Sequence, residues 1–160
     1  MKPACACEAK VEIRVSSVEE MRRHGATLFE AHYREVALNQ NVTPLDPDWP
    51  AYYACEQAGL LHAVAAWHDG ELAGYVVSFL VPKHLHYRGV CVLQNDLLFV
   101  ADKYRGTTVC GRLMRETKAW GREHGASRVA WHCKEGSTLH RMLDKRKSCI
   151  VQDIIYTELL

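Results

Sequence analysis

The stretch FVADKYRGTTVCGRLM, residues 99–114, decides the fold of this chain. Its apolar start ends at Ala101, a charged corner leads to Arg105 and Gly106, and a helical pattern begins after Thr108. That order predicts a strand, a tight turn and the start of a helix. The first amides of a helix lack partners within it and carry a partial positive charge. The turn is therefore suited to bind an anion such as phosphate.

An ordinary helix cap is the alternative for the same turn. The hydroxyl of Thr107 or Thr108 could cap the helix, in which case no ligand is needed. In the anion-binding alternative, Gly106 lets the backbone approach a ligand closely, while Arg105 and Arg112 add charge-assisted contacts. The turn by itself favours neither alternative.

Hydrophobic periodicity predicts the other elements. They are, in chain order, a strand at 10–16, a helix at 19–36, a short helix at 46–59, a hairpin at 60–81 that turns at Asp69-Gly70, a strand at 90–101, the helix of the opening stretch, a strand at 128–134, a helix at 137–147 and a last strand at 150–159. The hairpin predicts antiparallel strands, and the later alternation of strand and helix predicts parallel pairing. We therefore predict an α/β fold in which helices flank a central mixed sheet.

The composition is that of one globular domain. The chain has 160 residues, of which 48% are hydrophobic and 24% charged, and we expect a single domain over 1–160 with a mobile segment at 1–9. A formal net charge of +1 gives no field that would attract nucleic acid, and no apolar run is long enough to span a membrane. Seven scattered cysteines, an odd number, favour a reducing cytoplasmic compartment over a disulfide framework, and we expect no metal site.

The pattern L-x-V-x-x-x-Y-R-G-x-x-x-x-x-x-L, from Leu98 to Leu113, resembles the GNAT superfamily of N-acetyltransferases when it is taken with the chain length and the order of elements. The resemblance spans residues 11–160 and extends to acetyltransferases encoded by some phages. In that family the turn carries an R/Q-x-x-G-x-G/A pattern whose amides bind the pyrophosphate of acetyl-coenzyme A. Two later positions, usually glycine or alanine, fall on Thr108 and Cys110 here.

The resemblance implies two sets of cofactor-binding residues. The main chain of Leu98, Phe99 and Val100 would pair with the pantetheine arm as an added strand does. The pyrophosphate would lie against the turn, which comprises Arg105, Gly106, Thr107, Thr108, Val109, Cys110, Gly111 and Arg112.

The catalytic groups are predicted by position and chemistry. Amine acetylation needs a base for the amine proton and a donor for the departing thiolate. Many family members use a tyrosine as that acid, and its place is taken by Leu143. His140 and His132, with Ser137 nearby, are the residues that could replace the tyrosine as the acid. The structural alternatives are that His140 is a solvated helix residue and that His132 bonds a main-chain group.

For the base, Asp96 is the candidate, with Gln94 beside it, because a carboxylate within an apolar run is costly without a partner. Its structural alternative is a hydrogen bond that pins a neighbouring bulge. Cys110 or Cys133 as a nucleophile is the weaker hypothesis, since a lone buried cysteine usually behaves as a small hydrophobe.

The resemblance implies an enzyme that transfers acetyl from acetyl-coenzyme A directly to a primary amine. The acceptor is a small molecule or a protein, with no membrane or nucleic acid partner expected and a homodimer through the last strand plausible. The alternative is a catalytically degenerate member of the fold that binds a cofactor or a partner.

Overall fold

The structure is a computed structural model that describes residues 11–83, 87–153 and 155. Its elements are β1 (Glu12–Val15), α1 (Val18–His24), α2 (Ala26–Val36), α3 (Trp49–Gln57), β2 (Leu61–His68), β3 (Glu71–Val81), β4 (Val92–Val100), a 3₁₀ turn (Asp102–Tyr104), α4 (Val109–Glu123), β5 (Arg128–Ala130) and α5 (Thr138–Asp144). The segment 1–9, predicted to be mobile, lies outside the described residues.

A mixed sheet of five strands in the order β1-β2-β3-β4-β5 forms the centre of the molecule. The first four strands are antiparallel and β5 runs parallel to β4, which confirms the predicted fold class. The hairpin turns at Asp69 and Gly70 as predicted. Both residues have positive φ, of 52° and 81°, which matches the right-handed twist of the strands.

Helices cover both faces of the sheet. Successive residues of a strand point to opposite faces, so Tyr75 and Val77 pack with α1–α3 while Val76 packs with α4. The buried face of α4 includes Leu113 and Gly121. A Cβ on Gly121 would lie 2.8 Å from a Leu93 methyl carbon, so this glycine lets the helix lie close against β4.

The predicted single helix at 19–36 is wrong, because Gly25 divides it into α1 and α2. The Gly25 amide donates to the Met21 carbonyl at 2.7 Å, and the same residue then precedes α2. A Cβ at this position would lie 2.5 Å from both the Met21 carbonyl oxygen and the Phe29 ring. The close approach of the two helices at their junction therefore requires glycine.

The predicted last strand at 150–159 is also wrong wherever the structure describes it. Residues 150–153 and 155 belong to no strand, and 154 and 156–159 lie outside the described residues. Ile150 and Ile155 are 86% and 79% exposed, so no neighbouring strand covers these side chains. The strand predicted at 128–134 ends early, at Ala130. At the next position of β4, the Asn95 side chain bonds to the His132 main chain in place of strand pairing. Among the described residues, no helix is long and apolar enough to cross a membrane.

We predict that Gly25→Ala lowers the free energy of unfolding by about 1–3 kcal/mol, because the added methyl group overlaps a main-chain oxygen that cannot move aside alone. Gly111→Ala is the matched control, since its Cβ would meet nothing within 4 Å. It should leave stability unchanged or raise it by up to about 1 kcal/mol. Urea unfolding of the two variants measures both effects, and equal midpoints would contradict the proposed role of Gly25.

Candidate functional site

The neighbouring strands β4 and β5 separate after a short ladder. They pair only between Val92–Gln94 and Arg128–Ala130. At the next position the side chain of Asn95 replaces the ladder: its Oδ1 accepts from the His132 amide at 2.5 Å, and its Nδ2 donates to the His132 carbonyl at 3.3 Å. Asn95 is 1% exposed. A buried amide thus holds the strands together where their edges begin to open.

Beyond Asn95 the edge of β4 has no neighbouring strand in the described part of the chain. The Ala101 amide donates to the Ala73 carbonyl of β3 at 2.9 Å. Because main-chain groups alternate in direction along an antiparallel pair, Phe99 faces β3, whereas Leu98 and Val100 face the open edge. Of the three residues predicted to pair with a pantetheine arm, Leu98 and Val100 therefore present main-chain groups to it, and Phe99 does not.

The start of α4 lies just after this edge and has no side-chain cap among the described residues. Its first intrahelical bond runs from the Arg112 amide to the Thr108 carbonyl at 2.9 Å. The Cys110 and Gly111 amides therefore have no acceptor within the helix. In contrast, α1, α3 and α5 are each capped by a side chain.

The turn before α4 has the conformation that close approach requires. Gly106 has a φ of 76°, and a Cβ there would meet nothing within 4 Å. Thr107 braces the turn, because its hydroxyl donates to the Tyr104 carbonyl at 2.6 Å and accepts from the Val109 amide at 3.3 Å. The turn is thus fixed from within and open on its outer side, so its residues fit a phosphate group.

The two arginines predicted to contact a ligand are bonded to the protein instead. Arg105 donates from Nε to the Val100 carbonyl at 2.9 Å, and its other nitrogens lie 2.6 Å from Glu35 and 2.8 Å from Asp102. The hydrogen bond to Glu35 raises the pKa of the Arg105 guanidinium. Arg112 donates to a main-chain oxygen just before β1 at 3.0 Å. Anion binding at this turn therefore depends mainly on main-chain amides.

The side chains of Cys110 and Cys133 are poor nucleophiles in this structure. Burial raises the pKa of both the Cys110 thiol and the Cys133 thiol. A catalytic cysteine needs a lowered pKa, so that thiolate is present at neutral pH. The described residues also contain no group of three or more His, Cys, Asp or Glu side chains that could hold a metal ion.

Asp96 is the extra residue of a β-bulge in β4. The register shifts between Val77 and Ser78, which face Leu97 and Asn95 respectively, and this leaves Asp96 without a partner on β3. A bulge turns one side chain away from the regular alternation. Asp96 is accordingly exposed, although it lies in the middle of an otherwise apolar strand.

The Asp96 carboxylate accepts a hydrogen bond from the Tyr52 hydroxyl of α3 at 2.5 Å. Burial, together with this bond and the negative charge of Asp96, raises the pKa of Tyr52. The phenol therefore stays protonated at neutral pH and donates to the carboxylate. The bond fixes the carboxylate from the α1–α3 side of the sheet.

The predicted acid candidates lie around the start of α5. His140 accepts from the Gly136 amide through Nδ1 at 2.9 Å, and its own amide donates to the Ser137 hydroxyl at 3.1 Å. This reciprocal pair caps the helix. His132 has an exposed side chain, while its main chain is held by the β4 amide described above. Leu143, at the position of the family's tyrosine, is buried.

A cavity of about 310 Å³ lies between the sheet and α1–α3. Its wall includes Leu97, the neighbour of Asp96, so the cavity reaches the bulge. Five aromatic side chains line it, namely Phe29, Tyr33, Trp49, Tyr52 and Tyr75. Because Tyr52 also bonds to Asp96, one side chain joins the cavity to the carboxylate.

A histidine in the cavity wall forms a second polar pair. The Nδ1 of His32 lies 2.6 Å from the Tyr75 hydroxyl, and its ring stacks on Phe99 at 4.6 Å. Burial lowers the pKa of His32 from 6.5 to about 4, so the ring is neutral at pH 7. The cavity therefore carries no positive charge from His32 near neutrality.

Sequence reasoning missed four residues of this site, namely Asn95, Tyr52, His32 and Tyr75. Asn95 was visible as a polar residue in an apolar run, but its partner lies on another strand. Tyr52 and Asp96 are 44 positions apart, and His32 and Tyr75 are 43 apart. No local pattern marks such pairs.

Comparisons with known proteins agree with this geometry. The sequence model described as Acetyltransferase (GNAT) family matches residues 26–142. No curated protein sequence matches the chain.

Solved structures share the fold at low identity. A ribosomal-protein-alanine N-acetyltransferase from Brucella melitensis biovar Abortus 2308 has 18% identity and a TM-score of 0.67, over 94% of this chain and 99% of that one. An aminoglycoside acetyltransferase from an uncultured soil metagenomic sample, in complex with sisomicin, has 12% identity and a TM-score of 0.68, over 96% and 98%. The aminoglycoside N-acetyltransferase AAC(6′)-Iy, in complex with CoA, has 18% identity and a TM-score of 0.65, over 93% and 94%.

We predict that His32 makes stability depend on pH between about 6.5 and about 4. Its pKa is lower in the folded protein, so the unfolded chain binds more protons in this window and stability is lost as the pH falls. His62, whose pKa burial also lowers to about 4, contributes in the same direction. Urea unfolding between pH 4 and pH 7 should give a shallower pH dependence for His32→Gln than for the wild type. Identical slopes would contradict the prediction.

Proposed function

Since the chain belongs to the GNAT family of acetyltransferases, which use acetyl-coenzyme A, we propose that it transfers acetyl directly to a primary amine bound in the cavity beside α1–α3. One observation carries the proposal. The open edge of β4 runs into the uncapped start of α4 on one side, while the bulge of the same strand presents Asp96 beside the cavity. The donor and the acceptor would therefore meet at β4.

Acetyl-coenzyme A, when bound, supplies the acetyl group as a reactive thioester. Leu98 and Val100 would hold its pantetheine arm through main-chain groups at the open edge, as an added strand is held. The Cys110 and Gly111 amides would hold the pyrophosphate, and Gly106 would allow its close approach.

Asp96 is the proposed base. An amine is protonated in water and must lose a proton before it can attack a carbonyl carbon. The exposed carboxylate can take that proton directly or through a water molecule. Tyr52 keeps the carboxylate oriented and, because its own pKa is raised, does not compete for the role of base.

His140 is the proposed acid for the departing thiolate. With Nδ1 accepting from the Gly136 amide, the neutral ring carries its proton on Nε2 and can donate a hydrogen bond to the thiolate. Full proton transfer requires the doubly protonated ring, in which Nδ1 has given up the bond to Gly136. The cap at the start of α5 thus sets the tautomer. His132, with an exposed ring close to the open edge, is the second candidate for this role.

The degenerate binding protein is the second candidate function. The buried Leu143 at the position of the usual tyrosine favours it, because leucine can neither donate nor accept a proton. Such a protein would bind coenzyme A without turnover.

For the cell, we propose a reducing cytoplasmic compartment, which the free thiols of Cys55, Cys91, Cys110, Cys133 and Cys149 support. A homodimer through the chain's last segment stays a proposal as well, and the exposed Ile150, Val151 and Ile155 support an association there.

We predict that Asp96→Asn lowers the rate of acetyl transfer by about 10²- to 10⁴-fold, the usual contribution of a general base. Coenzyme A affinity should stay the same, because the carboxylate lies on the acceptor side of β4. Asp69→Asn, in the hairpin turn, is the matched control and should keep full activity, since asparagine tolerates positive φ. Thiol release measures the rate. An Asp96→Asn enzyme with wild-type turnover would exclude this carboxylate as the base.

We predict that Gly106→Val weakens coenzyme A binding at least tenfold, about 1.4 kcal/mol. A β-branched residue is strained at a φ of 76°, and its side chain would occupy the open space over the turn. Gly125→Val imposes comparable strain, with a φ of 79° at the opposite end of α4, and should leave the affinity unchanged. Calorimetric titration compares the two variants. Equal loss of affinity in both would mean that strain in α4, rather than the turn, is responsible.

A further inference from the structure

The hydroxyl groups in the cavity wall are already bonded within the protein. Tyr33 donates to the Gln40 carbonyl at 3.1 Å and lies 2.9 Å from the Thr43 carbonyl. Tyr52 donates to Asp96, and Tyr75 is paired with His32. A ligand rich in hydroxyl groups would therefore find few partners here, and its desolvated groups would cost free energy.

The rest of the wall is apolar. Phe29 meets Tyr75 edge to face at 5.2 Å, and Trp49 lies 6.0 Å from Phe29, so aromatic surfaces form most of one side. Large apolar side chains continue to the mouth of the cavity. Leu45, which lines the cavity, is 43% exposed. An apolar ligand would cover such a surface.

The charge of the cavity favours one cation. Asp46 lines the wall, and Asp96 lies at the bulge end beside Leu97. No lysine or arginine belongs to the described lining. Aromatic faces also attract a cation. The bulge end therefore accommodates an ammonium group at Asp96, and Asp46 is the one acidic residue in the described lining, so a molecule with three or more ammonium groups would leave some without a partner.

We infer that the acceptor is a primary monoamine carried on an aromatic or branched apolar body, of the arylalkylamine class. A cavity of about 310 Å³ is at the small end of ligand sites and suits a molecule with one or two rings. The ammonium group would face Asp96 and the ring would lie among the aromatic side chains. The acetylation of this amine rests on the proposed function, whereas its binding does not.

Calorimetric titration of the full chain tests the inference, with coenzyme A present and absent. The probes are 2-phenylethylamine and tryptamine, compared with ethanolamine, spermidine and kanamycin. We expect the two ring-bearing amines to bind at least tenfold more tightly than the other three. Tighter binding of spermidine or kanamycin would overturn the inference.

Two substitutions in the same segment provide a matched pair. Leu45→Asn places a neutral polar group at the cavity wall and should weaken binding of the ring-bearing amines at least tenfold. Leu38→Asn makes the same change at a residue outside the lining and should not. Leu45→Met should keep the wild-type affinity. If the two asparagine variants behave alike, the cavity is not the binding site.

Thiol release from acetyl-coenzyme A, measured on the same probes, separates the two claims. Ring-bearing amines that bind tightly without thiol release would support the inference and contradict the proposed function. Rapid release with spermidine or kanamycin, and none with the ring-bearing amines, would support the proposed function and overturn the inference.

Discussion

The bond between the Asn95 side chain and the His132 main chain is the constraint on which the rest of the site depends. If the ladder between β4 and β5 continued past Gln94, main-chain groups of β5 would fill the edge of β4. The amide of Asn95 instead satisfies one donor and one acceptor of His132, just beyond the end of β5, where the ladder stops. Loss of that side chain would leave buried groups unpaired, at about 1–3 kcal/mol each. The separation of the strands is thus stabilised by the Asn95 side chain and is not merely a place where pairing is missing.

In the turn beyond this opening, the charged side chain stabilises the fold, whereas the main-chain amides are left available to an anion. Arg105 connects the end of β4 to Glu35 of α2 and to Asp102, so the guanidinium holds three parts of the chain together. A cation already paired with two carboxylates attracts a phosphate less strongly than a free one. The first amides of α4 carry no such competing partner within the helix. An anion bound at this turn would therefore be held mainly by the main chain.

Much of the fold could be predicted from local signals in the sequence. Asp69-Gly70 specified its hairpin, and the pattern of 99–114 specified the end of β4, the turn and the start of α4. The failures have physical causes. Gly25 reads as an ordinary interruption in a helical pattern, and only the packing of Phe29 against it requires two helices. The apolar alternation at 150–159 predicts a strand, but a strand also needs a paired neighbour, and the described residues 150–153 and 155 belong to no strand.

The chemistry of the site was harder to predict than the fold, because it depends on pairs distant in sequence. Asp96 could be recognised in the sequence as a carboxylate in an apolar strand, and that position predicts a buried side chain. The bulge places it at the surface instead, where its partner comes from α3. Likewise His140 was recognised as a titratable residue at the right place, while its capping bond to Gly136 depends on the turn geometry. The types of the site residues could be predicted from the sequence, whereas the protonation of their side chains and the direction in which those side chains point could not.

The acceptor side depends on how α3 is docked, since α3 supplies Tyr52 to both the cavity and Asp96. Asp48 caps α3 by accepting from the Ala51 amide at 3.0 Å. At the other end of the helix, Glu56 accepts from the Val18 amide at 2.8 Å and so joins α3 to the start of α1. These bonds fix the helix at both ends, which leaves the tyrosine hydroxyl little freedom to move. The wall proposed to select the amine and the carboxylate proposed to receive its proton are therefore held by the same short helix, so a change in its docking should alter binding and proton transfer together.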